Sequence, residues 1–100
     1  MAFENNRINS ITFGKGLSSV SQGAFKGNNL LSVTLPDNIT LIEDEAFLGN
    51  KIGQIIIGAN VEIESDTSLG NYGAAFKKYY EDSGKQSGEY GYTADFWVKL

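Results

Sequence analysis

The sequence predicts an α/β coil of short parallel strands, wound as a solenoid of about three turns and ending in a helix followed by a hairpin. Two observations carry this. Ala2-Phe3 recurs as Ala24-Phe25 and Ala46-Phe47, each time 22 residues on. A weakened copy follows at Ser68-Leu69, and beyond it the composition changes sharply. Eight of the 12 aromatic residues fall between Tyr72 and Trp97.

The rest of the frame keeps the same step. Asn6, Asn28 and Asn50 align, as do Ile8, Leu30 and Ile52. So do Ile11, Val33 and Ile55, then Phe13, Leu35 and Ile57, then Leu17, Ile39 and Val61. Fixed self-similarity at this period is the mark of a repeat architecture, in which each unit buries its apolar face only against its neighbours. Ile11-Thr12-Phe13, Val33-Thr34-Leu35 and Ile55-Ile56-Ile57 alternate with the period of a strand, so the aligned apolar pairs face inward. Pro36, Gly14 and Gly58 end these strands. The Ala-Phe segments belong on the opposite wall in short helical or 3₁₀ turns, with Phe3, Phe25 and Phe47 stacked as a spine. The aligned asparagines, including Asn38 and Asn60, either satisfy backbone groups at a tight bend or form a ligand-binding ladder. Leaving a buried backbone group unpaired costs about 1–3 kcal/mol, which favours the structural role.

Leu30-x-x-Val33-x-Leu35-x-x-Asn38 and Ile52-x-x-Ile55-x-Ile57-x-x-Asn60 follow the leucine-rich template, in a variant whose next apolar residue comes one place early. The stretch from Ala24 to Phe47 resembles the BspA-like, Treponema pallidum-type leucine-rich repeats, and the resemblance covers residues 2–69. Proline appears only in the middle copy, and Glu64 stands where Val20 and Ile42 lead one to expect an apolar residue. The expected organisation is a solenoid over residues 1–70 and an aromatic cap over 71–100, packed as one unit. In the cap, Ala74 to Tyr80 reads as a helix stopped by Gly84. Tyr90-Gly91-Tyr92 and Phe96-Trp97-Val98 read as two strands across the Thr93-Ala94-Asp95 turn. The first copy begins at residue 2 with no comparable cover. We therefore expect a piece of a longer chain, able to pair with another copy through its first repeat.

Composition removes several kinds of chemistry. There is no cysteine and no histidine, so disulfides, thiol catalysis, histidine relays and zinc sites of the usual type are absent. The net charge of −4 gives no general attraction to nucleic acid or anionic lipid. No apolar run approaches the ~20 residues that span a bilayer. The first residues lack the basic and apolar regions of a signal peptide. Glu43 and Glu45 could in principle serve as a glycosidase pair, but they sit in a short acidic turn that is more simply solvated. Glu62, Glu64 and Asp66 alternate and share one side as a calcium site requires, but the loop spacing and central glycine of such sites are missing, and a charged outer edge is the simpler reading. Asn38-Ile39-Thr40 is a glycosylation sequon.

No catalytic, cofactor-binding or metal-binding residue is therefore expected, and the chain is read as a non-catalytic interaction module. Its binding face is assigned to the outward strand positions Ser10, Thr12, Ser32, Thr34, Gln54 and Ile56, a small polar ribbon. The resemblance implies an extracellular or cell-surface adhesin-type protein, typically bacterial, whose partner is a host or cell-surface protein. The alternative is a structural spacer or capping segment with no ligand of its own.

Overall fold

In the computed structural model of the chain, residues 7, 11, 13–14, 16–93 and 95–100 are described. The elements in order are β1 (Ser19–Val20), β2 (Ser32–Thr34), β3 (Leu41–Ile42), β4 (Gln54–Ile57), β5 (Glu62–Ile63), α1 (Gly73–Asp82), β6 (Gly88–Thr93) and β7 (Phe96–Lys99). They build two sheets. One has the order β1-β3-β5 and the other β2-β4-β6-β7.

The 22-residue period appears directly as strand register. β2 and β4 pair in parallel with Ser32 opposite Gln54 and Val33 opposite Ile55. Leu30, Val33, Leu35, Ile52, Ile55 and Ile57 point inward and are buried. Each turn also contributes a second short strand. Val20 lies opposite Ile42, 22 residues on, and Ile42 opposite Ile63, 21 residues on. This corrects the alignment that put Glu64 in the apolar column. The strand in the third copy comes one residue early, so Ile63 fills the core and Glu64 stays exposed. The displaced residue is taken up in the next turn, because Ser68 and Leu69 are again buried as Ala46 and Phe47 are.

The Ala-Phe segments form successive three-residue turns rather than regular helix. Ala24 N–H donates to Ser21, Ala46 to Glu43 and Leu48 to Glu45. Neighbouring turns are joined by Phe25 N–H to Ala46 (2.8 Å) and Phe47 N–H to Ser68 (3.0 Å). Phe25 and Phe47 stack with ring centres 5.5 Å apart, and Phe13 meets both edge-on. Phe3, the expected first member of the spine, lies outside the described residues, as do Asn6 and Ile8. The turns close on a glycine column that the pattern search passed over: Gly27, Gly49 and Gly70 all have positive φ. At Gly70 the φ is +86°, and a Cβ would stand 2.6 Å from the Asn50 carbonyl oxygen, so only glycine fits.

The asparagines play the structural role. Asn50, fully buried, accepts from Leu30 N–H (2.9 Å) and donates to the carbonyls of Phe25 and Phe47 (2.8 and 2.9 Å). Asn28 donates to the Phe25 carbonyl at 2.9 Å. Asn38 donates to the carbonyl of Leu17, one turn back, so the side-chain amide of the sequon is already engaged. Asn60 differs, being exposed with φ +59°.

The expectation of mainly parallel strands needs correction. β6 runs antiparallel to β4, with Ile55 opposite Tyr90, and β7 runs antiparallel to β6, so the larger sheet is mixed. Two strands joined by a two-residue turn must run antiparallel, and here the hairpin enters the repeat sheet instead of lying across its end. Helix α1 ends in a Schellman motif: Lys85 N–H bonds to the Tyr80 carbonyl and Gly84 N–H to that of Glu81, with Gly84 at φ +89°. Phe76 is enclosed by Tyr80, Tyr90 and Trp97 at ring-centre distances of 5.5, 5.2 and 4.9 Å. Tyr80 reaches the third repeat, donating to the Gly58 carbonyl (2.6 Å) and accepting from Val61 N–H (3.1 Å).

Burial pushes the Tyr80 hydroxyl above the ordinary tyrosine value of 10.0, and the Val61 N–H offsets part of that shift. Tyr90 is raised by burial and by the neighbouring Tyr80 and Tyr79. Both groups ionise more easily in the unfolded chain, so the stability they contribute is complete below pH 10 and is lost as pH rises through their folded values. Thermal melts followed with tyrosinate absorbance should show the melting temperature falling above pH 10. Tyr80→Phe and Tyr90→Phe should flatten that fall.

Candidate functional site

The sequence-predicted ribbon lies on the two repeat strands. Strands β2 and β4 direct alternate residues to opposite faces, so Ser32, Thr34, Gln54 and Ile56 share the outer face while Val33, Ile55 and Ile57 fill the core. Parallel register sets Ser32 beside Gln54 and Thr34 beside Ile56. All four are exposed, Ile56 at 39%. Ser10 and Thr12 lie outside the described residues. So do residues 1–6 and 8–9 of the first repeat, on which the expected pairing between copies rests.

The hairpin extends this face, which inspection of the repeats alone had missed. Gln54 lies opposite Gly91, and Gly91 opposite Val98. Ile56 lies opposite Glu89, whose carbonyl accepts Leu100 N–H at 2.7 Å. Gln54 donates to the Glu89 carboxylate across the strands. Phe96 and Leu100 are 59% and 68% exposed, and Leu100 leans over Gly91. The Tyr-Gly-Tyr alternation was a usable signal, since Tyr90 inside requires Gly91 outside.

The acidic residues near the Ala-Phe turns do structural work. Glu43 accepts Gln22 N–H at 3.1 Å and Glu64 accepts Asp44 N–H at 2.8 Å, so each carboxylate ties its own turn to the one before. Asp44 accepts from Ser65 and Thr67 at 2.5 and 2.7 Å, and these hydroxyls hold its pKa below the usual 3.8. Glu45 pairs with Lys26 at 3.6 Å. Among the described residues no three acidic side chains form a group that could hold a metal ion. No helix among them is long and apolar enough to cross a membrane. A shallow depression lined by Asn28, Asn29, Leu30, Leu31, Gly49 and Lys51 lies beside the asparagine bend.

Stacked turns on the leucine-rich pattern, with Asn28 and Asn50 turned inward and the alternate residues of β2 and β4 outward, define a repeat protein with a regular surface. The family model described as BspA type leucine rich repeat region (6 copies) matches residues 1–74, and the chain belongs to that family. Members of this family are generally non-catalytic, mediate protein interactions and are typically secreted or at the cell surface. No curated protein and no solved structure matches the chain significantly.

Proposed function

We propose that the chain is a non-catalytic protein-interaction module of an adhesin-type, secreted or cell-surface solenoid, and that it engages a host or cell-surface protein through the outward strand face. In this reading residues 1–70 form the solenoid and residues 71–100 cap its last turn, the two acting as one unit. The observation that carries it is the row of Ser32, Thr34, Gln54 and Ile56, presented at the repeat spacing over a filled core. Polar side chains on a rigid sheet lose little entropy on binding, which suits recognition rather than turnover.

The test is adhesion of cells to a surface coated with the chain, compared with a Thr34→Arg/Gln54→Arg variant. These exposed changes should leave the fold intact and reduce adhesion about tenfold, the usual effect of losing ~1.4 kcal/mol at a contact. Undiminished adhesion of the variant removes this face from the reading. No adhesion of the unaltered chain favours the spacer alternative.

A further inference from the structure

The hairpin changes the chemistry of the outer face. Over β2 and β4 it is polar, with Ser32, Thr34 and Gln54. Beyond Gln54 it becomes more apolar: Ile56 of β4, Phe96 and Val98 of β7 and Leu100 just after it surround Gly91, while β6 adds Glu89 and Thr93. Acidic groups accompany this apolar row. Glu89 stands within it, Asp37 follows β2 against Gly58, and Asp95 occupies the β6–β7 turn. Lys51, just before β4, lies beside Asn28, Asn29 and Leu31, while Lys99 belongs to the opposite face and packs on Gly88.

The free side of β7 is a poor alternative for docking. Because Leu100 N–H bonds to β6, Trp97 and Lys99 turn their backbone groups away from it, and the Lys99 N–H is taken by the Tyr79 hydroxyl at 3.3 Å. An added strand would have to displace that hydroxyl, so contact through the face is favoured over extension of the edge. A second copy is also disfavoured. Four strands about 4.8 Å apart and about five residues long present roughly 300 Å². That is well short of the ~800 Å² per partner of a stable interface, so any single contact through this face is weak and a dimer held by it alone would not persist. Two copies would also bring acidic rims together, each on a chain of net charge −4.

Resting on the interaction reading above, we propose that this half of the face docks a cationic protein surface: apolar side chains that cover Ile56, Val98, Leu100 and Phe96, flanked by lysine or arginine that meets Glu89, Asp37 and Asp95. The small area makes the single contact weak, so strong adhesion requires many contacts in parallel.

The experiment measures binding of two extended synthetic peptides, one alternating lysine with valine and one alternating glutamate with valine. The lysine peptide should bind, and Phe96→Ser/Leu100→Ser should weaken it about tenfold. Glu89→Gln should weaken it several-fold, with Trp97 fluorescence confirming that each variant is folded. Equal binding of the glutamate peptide overturns the assigned charge. Loss of binding on Thr34→Arg/Gln54→Arg, with none on Phe96→Ser/Leu100→Ser, overturns this inference and leaves the polar ribbon standing. Insensitivity to both pairs removes both. A dimer in sedimentation that Phe96→Ser/Leu100→Ser dissolves would assign the face to a second copy instead.

Discussion

Phe76→Ala lowers stability by about 3–5 kcal/mol, the usual cost of removing a fully buried aromatic ring. Phe76 is completely buried on α1, stacked on Tyr80 and edge-on to Tyr90 and Trp97. Its removal leaves a cavity bounded by three rings that are themselves anchored. Tyr80 bonds to Gly58, Tyr90 to the Gln86 carbonyl (2.6 Å) and Trp97 to the Tyr72 carbonyl (3.0 Å). Those bonds keep the rings from collapsing into the gap, so the higher end of the range is expected. Small domains hold only about 5–15 kcal/mol in total, and the variant should be largely unfolded at body temperature. Chemical denaturation reads this directly. A midpoint unchanged from the parent would show that the helix and hairpin contribute no stability to the repeats. Phe76→Leu, which fills most of the volume, should recover more than half of the loss.

Asn50→Leu is expected to destabilise by about 2–4 kcal/mol, because it keeps the branching of the side chain but removes its hydrogen bonds and sets bulkier methyl groups in a fully buried site. The Asn50 amide oxygen is the acceptor for Leu30 N–H, and Leu30 is itself completely buried. Without that oxygen the N–H has neither a partner nor water, and β2 loses its point of entry. The two carbonyls that Asn50 serves are better insured. Phe25 O keeps Asn28 Nδ2, and Phe47 O keeps the Asn50 N–H at 3.2 Å. Amide exchange should therefore rise most at Leu30 and through β2, with α1 much less affected. A uniform rise over the whole chain would mean that the effect is global, and would remove the assignment to this bond.

Both variants act at positions whose importance was legible to different degrees. The asparagine column could be read from the 22-residue step, and its structural role from the cost of a bare backbone group at a bend. The burial of Phe76 could be foreseen only as one face of a helix. Which rings it would meet depended on how the hairpin folded back.

The periodic residues determined what repeats locally. Alternating apolar strands, asparagine bends and Ala-Phe turns recur because each copy solves the same problem of burying one face and pairing its backbone. The helix from Ala74 onward, its stop at Gly84 and the hairpin turn were likewise local, set by helix formers, a left-handed glycine and the chain reversal around Asp95. The shift that puts Ile63 in the core was not local, since a one-residue change is seen only when Ile42 is paired with its partner on the next turn.

The same holds for the outer face. Its polar half follows from side-chain alternation on β2 and β4, which any strand imposes. Its apolar half exists because β6 chose β4 as its neighbour and ran antiparallel to it, setting Gly91 beside Gln54 and Leu100 beside Glu89. Alternation along a chain tells which residues share a face of one strand. Which strands share a sheet is decided by packing between residues far apart in sequence: here by Tyr90 and Trp97 closing over Phe76, and by the Tyr80 hydroxyl holding the third repeat.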